Sequence, residues 1–163
     1  MNIDIKSFSN DFYKEICGAK LKPVLDAVSY AYEKGIWIEI TTLLIPSKND
    51  SDEEIRSIAK FIANLDASIP WHLSAFYPTY KMLDAPRTPE STLLRAYKIG
   101  QEEGLKYVYI GNVDNEDYES TYCPNCKKRV IDRSGNIGQF VINDLNEHNR
   151  CPYCGYALEG VWK

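Results

Sequence analysis

The chain has 163 residues, 44% of them apolar and 26% charged, with a formal net charge of −4. That length holds one ordinary domain, or a domain and a small appendage, and the negative balance disfavours a nucleic-acid surface over the whole chain. Apolar runs such as 36–46 contain Glu39 and are too short to cross a bilayer. With no apolar leader at the N-terminus either, no membrane association and a reduced, cytoplasmic setting are expected.

Residues 2–7 alternate as a strand does. Ser9 can cap a short helix over 11–16 that Gly18 ends. A longer helix starts near Lys20 with Pro23 in its first turn; Leu21, Val24, Leu25, Val28 and Tyr32 keep the 3.6-residue period, and Gly35 stops it. The run 36–45, rich in β-branched residues, reads as a strand buried on both faces. Ser51 and Glu54 spell a capping box before a helix with the stripe Ile55, Ile58, Ile62 and Leu65. A strand over 71–77 follows, then a loop over 79–87. Thr88 and Pro89 are placed to start a third long helix that Gly104 ends, and 107–110 makes a fourth strand.

The order β-α-β-α-β-α-β implies parallel strands with right-handed crossovers, an α/β layer fold or part of a β/α barrel. Near 114–120 the composition turns acidic and polar, which marks a linker. The expected domains are therefore 1–113 and 114–163.

Cys123-Pro-Asn-Cys126 and Cys151-Pro-Tyr-Cys154 stand 24 residues apart. Each two-residue spacer lets both thiolates converge, and two such turns make a tetrahedral sulfur site suited to zinc, or to iron as in rubredoxin. The alternative, disulfides, needs an oxidising compartment. Gly155 takes the left-handed turn after the second pair without strain, whereas Lys127 after the first pair suits it less well. A unit this small depends on its metal for much of its folding energy. The odd thiol, Cys17, reads as a small buried hydrophobe.

Charge also falls where a covered strand should be apolar. Asp4 and Lys6 share one face of the first strand, Glu39, Thr41 and Leu43 one face of the second, and His72, Ser74 and Phe76 one face of the third, with Tyr77 at its carboxyl end. Ligand sites of α/β folds are built at the carboxyl ends of strands. The plainer alternatives are an edge strand with one wet face for Asp4 and Lys6, and a hydrogen-bonded core histidine for His72. His148 reads as a surface residue, and Lys127, Lys128, Arg129 and Arg133 as a solvated hairpin rather than a nucleic-acid patch.

The runs Asn2-Ile-Asp-Ile-Lys-Ser-Phe, Ile40-Thr-Thr-Leu-Leu-Ile-Pro46 with Asn49-Asp-Ser51, and Trp71-His-Leu-Ser-Ala-Phe-Tyr-Pro-Thr-Tyr-Lys-Met82 resemble the radical S-adenosylmethionine proteins related to pyruvate formate-lyase activating enzyme. The resemblance extends to their AmmeMemoRadiSam branch, whose C-terminal ribbon ends in a sequence like Glu159-Gly-Val-Trp162. It implies a half TIM-like β/α barrel with a rubredoxin-like zinc ribbon. It also implies S-adenosylmethionine and a [4Fe–4S] cluster as cofactors. On it, Asp4 and Lys6 fall on the family's Asp-x-Lys strand, the acid at a cation site and the lysine at the methionine carboxylate. Thr41 and Leu43 fall beside the ribose and adenine, and Tyr77 falls where the activating enzyme has a histidine against the adenine.

The chain departs from that family in lacking both the cluster motif C-x-x-x-C-x-x-C and the Gly-Gly-Glu-Pro motif. It matches the C-terminal half of such an enzyme, beginning at the fourth of six strands. The implied partner is a cluster-binding half or another protein, without which the chain is expected to be inactive. Two other readings stay open: a non-catalytic ribbon-bearing interaction module, and a rubredoxin-like electron-transfer unit.

Overall fold

A strand, a helix and a parallel second strand close with a right-handed turn. When each new strand is laid beside the last, every connecting helix therefore falls on the same side of the sheet. A computed structural model, which describes residues 1–113, 115–133 and 142–162, has this order. Strands β1 (Asn2–Asp4), β2 (Glu39–Leu44), β3 (Trp71–Ala75) and β4 (Val108–Gly111) lie side by side as β1-β2-β3-β4, all parallel. Helices α1 (Asn10–Glu15) and α2 (Leu21–Glu33), then α3 (Asp52–Leu65), then α4 (Glu90–Glu102) make the three connections.

The sheet has two unlike faces. Ile40, Thr42 and Leu44 of β2, Trp71, Leu73 and Ala75 of β3, and Val108 and Ile110 of β4 are buried and stand in register with one another. This is the helix-covered face, where α4 packs on β3 and β4 and α3 packs on α4. Trp71 is fully buried and its indole N–H donates to Oγ1 of Thr42 at 2.9 Å, while Thr42 donates to the Ile5 carbonyl at 2.8 Å. The alternate residues Glu39, Thr41 and Leu43 are only partly buried. A strand buried on both faces was expected over 36–45, and the structure corrects it. The apolar run misleads because Ile36 and Trp37 lie outside the strand, and Leu43 is the one apolar residue β2 places on the second face.

Ser9 caps α1, accepting from the Phe12 N–H at 3.2 Å, and Gly18, Gly35 and Gly104 take positive φ where the helices end. Three local readings change. Tyr32, expected in the buried stripe of α2, is exposed and reaches Asp66 through its hydroxyl; Val28 and Ala31 are the residues α2 buries. Ser51 caps α3, yet Glu54 does not close the box. Its carboxylate turns to the loop after β1, accepting from the Ser7 hydroxyl, the Phe8 N–H at 2.5 Å and the Ser9 N–H at 3.2 Å. Thr88 does not cap α4, whose N-cap is Pro89. It is buried instead, donating to the Leu44 carbonyl at 2.6 Å and accepting from the Phe76 N–H at 2.9 Å, so it ties together the carboxyl ends of β2 and β3.

The chain divides into two compact units, Met1–Val113 and Asp114–Lys163. In the second, β5 (Thr121–Tyr122), β6 (Arg129–Asp132) and β7 (Ile142–Asn143) form an antiparallel sheet in that order. Asp114, the first residue of the expected linker, lies outside the described residues. The rest of that stretch holds the short helix α5 (Glu116–Glu119) and the buried Ser120, whose Oγ accepts from the Arg133 N–H at 3.1 Å.

Candidate functional site

Register alone assembles the polar residues of the first unit. Asp4 lies beside Thr41, Thr41 beside His72, and His72 beside Tyr109, a row crossing all four strands on the face opposite the helices. One step toward the carboxyl ends, Leu43 lies beside Ser74 and Ser74 beside Gly111; one step the other way, Asn2 lies beside Glu39. The expected Asp4, Thr41 and Leu43 thus share one half-exposed face.

Lys6 follows β1 and pairs with Asp4 at 2.8 Å, with the two side chains 44% and 50% exposed. At that exposure the pair contributes little to stability, so the structure supplies no folding reason for two charges here. Asn2 and Thr41 bond reciprocally, at 2.9 and 3.1 Å. Tyr77 stands apart, beyond the end of β3. Its hydroxyl donates to the Asn112 carbonyl at 3.0 Å, and the Arg87 guanidinium lies over its ring at 4.4 Å. Asn112 in turn donates to Oγ of Ser74 at 2.9 Å.

Another polar contact on this face joins two residues that sequence spacing cannot pair. Nε2 of His72 lies 2.8 Å from Oε2 of Glu39, and the Trp37 indole N–H donates to Oε1 of Glu39 at 3.3 Å. The hydrogen bond from His72 holds the Glu39 carboxyl below the usual carboxylate range. The His72 ring also stacks on Tyr109, with centroids 5.1 Å apart and planes 22° from parallel. His72 is therefore hydrogen-bonded but half-exposed, not a core histidine.

Just past the carboxyl ends of β2 and β3, Ile45 and Phe76 join Phe12 and Ala85 in an apolar cluster, against which Cys17, Leu43 and Met82 pack. Cys17 is partly buried, and burial pushes its thiol pKa up. Asn49, buried in the same region, accepts from the Ile45 N–H at 2.6 Å and donates to the Lys6 carbonyl at 2.6 Å and the Leu43 carbonyl at 2.8 Å. Glu54 and Thr88 were legible in the sequence only as cap residues, because the partners their side chains take lie on distant segments.

In the second unit the two cysteine turns repeat each other. The N–H of Cys123 donates to the Lys128 carbonyl and that of Cys151 to the Tyr156 carbonyl, each five residues on. The N–H of Lys127 donates back to Cys123 and that of Gly155 to Cys151, both at 2.9 Å. Both returning residues are left-handed, Lys127 at φ 60° and Gly155 at φ 75°. Lys127 thus adopts the conformation for which it is the poorer residue.

None of the five cysteines is in a disulfide. The Sγ atoms of Cys123, Cys126, Cys151 and Cys154 lie within 4.8 Å of one another, with Cys123 and Cys154 at 3.6 Å and Cys126 and Cys151 also at 3.6 Å. A tetrahedron with metal–sulfur bonds of about 2.3 Å has edges of about 3.8 Å, so this set could hold one metal ion. It does not suit a cluster, whose ligands must reach separate irons. Burial pushes the Cys123 thiol up to about 12, while a hydrogen bond from Asn125 brings exposed Cys154 down to about 6. His148 is exposed and 3.8 Å from Glu147. Of the basic residues, Lys127, Lys128 and Arg129 are exposed, while Arg133 turns inward to the Thr121 hydroxyl at 2.6 Å. No described helix is long and apolar enough to cross a membrane.

No family model matches the chain. It is 44% identical over 162 residues to MJ0808, an uncharacterized protein of Methanocaldococcus jannaschii; the match covers 99% of the chain and 48% of that protein. It is 32% identical over 112 residues to MJ1632 of the same organism, provisionally named a glycyl-radical enzyme activating enzyme, covering 66% of the chain and 41% of that protein. The chain spans about half the length of the curated relatives it matches. Among solved structures, a domain of pyruvate-formate lyase-activating enzyme from Bacteroides vulgatus superposes with a TM-score of 0.56 at 21% identity, over 68% of this chain and 66% of that one. The chain is thus an α/β protein with the fold of that activase domain, similar in sequence to a protein provisionally named as an activating enzyme, and it carries a four-cysteine group able to bind a metal.

Proposed function

We propose that the chain is the C-terminal part of a radical S-adenosylmethionine enzyme of the glycyl-radical-activase kind, its sheet forming half of a β/α barrel. The observation that carries this reading is the register row of Asp4, Thr41 and His72, a half-exposed polar face opposite the helix layer. Such a face is what a barrel turns toward its interior. Asp4 and Lys6 would bind the charged methionine end of the cofactor, and Thr41, Leu43 and Tyr77 would line its nucleoside end. S-adenosylmethionine, when bound at a reduced iron–sulfur cluster, supplies the radical chemistry. The chain carries no C-x-x-x-C-x-x-C motif, so the cluster belongs to residues outside it, in a further segment or a partner protein. The ribbon would hold structural zinc in the cytoplasm.

The test is deoxyadenosine formation. The chain alone should form none; combined with a cluster-bearing half it should form it, and Asp4→Ala or Lys6→Ala should weaken cofactor binding about tenfold, the loss of one charge-assisted contact. Turnover by the isolated chain would sink the split-site reading. Unchanged cofactor affinity in both variants would favour an interaction module instead. Metal analysis decides the ribbon: about one zinc and no iron per ribbon is expected, and a coloured iron centre would point to electron transfer.

A further inference from the structure

The Glu39–His72 pair has no part in the cofactor assignment above, yet it is built like a functional imidazole. A carboxylate on one ring nitrogen fixes the tautomer and leaves the other nitrogen as an acceptor. Here Oε2 of Glu39 takes Nε2 of His72 at 2.8 Å, and Trp37 holds the far carboxylate oxygen. Stacking on Tyr109 restrains the ring plane. Among the described residues Nδ1 of His72 has no hydrogen-bond partner, and the side chain is 36% exposed. Neighbouring polar groups do not compete for it: Thr41 is engaged with Asn2, and Lys6 with Asp4.

We infer that Nδ1 of His72 is a binding site for an N–H donor, such as an amide or amine nitrogen of the substrate, with Glu39 as its positioning residue. This rests on the reading of the open face as a barrel interior, and it names the kind of substrate group that face takes. His72 is the second residue of β3, one step back from the Leu43–Ser74 row toward the amino ends of the strands. That is the depth for a substrate group reaching past a cofactor bound at the carboxyl ends.

The experiment is nitrogen NMR of the imidazole ring in the full chain without cofactor, so it is independent of the deoxyadenosine assay. The Nε2–H tautomer is expected. Acetamide should shift the Nδ1 resonance saturably, while N,N-dimethylacetamide, of similar shape but lacking N–H, should not. Glu39→Gln should weaken the acetamide response at least fivefold and mix the tautomers. The wild-type tautomer is itself decisive should that variant misfold. An Nδ1–H tautomer, or equal responses to both amides, overturns the inference. That result would leave the cofactor reading untouched, and absence of deoxyadenosine would leave an observed acetamide site standing.

Discussion

The side-chain amide of Asn49 donates to the Lys6 carbonyl at 2.6 Å, joining the end of the first strand to the turn after the second. The same side chain serves Leu43 and Ile45, so one buried residue satisfies three backbone groups at the strand ends. Asn49→Ala would leave those groups unpaired, each costing about 1–3 kcal/mol with partial relief from water. A loss of about 3 kcal/mol in denaturant unfolding is expected. A loss below 1 kcal/mol would show that water replaces the amide.

Thr88 offers a cleaner comparison. Thr88→Val keeps the shape but removes the bonds to Leu44 and Phe76, and should cost about 2 kcal/mol. Thr88→Ser keeps the hydroxyl and should recover most of it. A loss in Thr88→Ser with none in Thr88→Val would assign the effect to the methyl group.

Two glycines should respond differently to a methyl group. At Gly100 a Cβ would stand 3.0 Å from Cγ2 of Val108 and 3.2 Å from the ring of Trp71, which is fully buried and pinned through its N–H. Overpacking costs about 1–3 kcal/mol and outweighs the gain in helix propensity of about 1 kcal/mol. Gly100→Ala should therefore destabilise. Gly111→Ala, with open space around it, should change thermal stability little.

The ribbon predicts in the opposite direction. Lys127 is held at φ 60° by a turn that Gly155 makes without strain. Lys127→Gly should raise resistance to chelators by about 1 kcal/mol. Full chelation of the metal should abolish protection of the Cys123 and Cys151 amides in hydrogen exchange. Persistent protection would mean that the sheet folds without metal.

Acid should act through Glu39. Its folded-state pKa lies below its ordinary value because of His72. The stability it contributes is therefore present above the unfolded pKa of about 4.3 and is lost as pH falls through the folded value. Unfolding midpoints measured from pH 6 to pH 3 should show this loss, and His72→Phe should remove it. An unchanged slope in that variant would assign the acid sensitivity to other carboxylates.

Helices and their stops were legible because Ser9, Gly18, Gly35 and Gly104 act within a turn of themselves, as were the cysteine pairs. The polar face was half legible: alternation put Asp4, Thr41 and Leu43 on one side of their strands, but which sides align depends on register. Glu39 and His72, 33 positions apart, meet only through that register. Thr88 and Glu54 were misread for a related reason. A cap motif states what a side chain can do locally, and in both cases a partner more than 40 positions away won the side chain.

The two-faced sheet also imposes a parity on the chain. Adding or removing one residue within β2 would turn Glu39, Thr41 and Leu43 under the helices and expose Ile40, Thr42 and Leu44. Length can therefore vary in this unit only where parity is reset, as between Tyr77 and Thr88, where the backbone leaves the sheet before re-entering it through a helix. Variants of this protein should gain or lose residues there and almost never inside a strand.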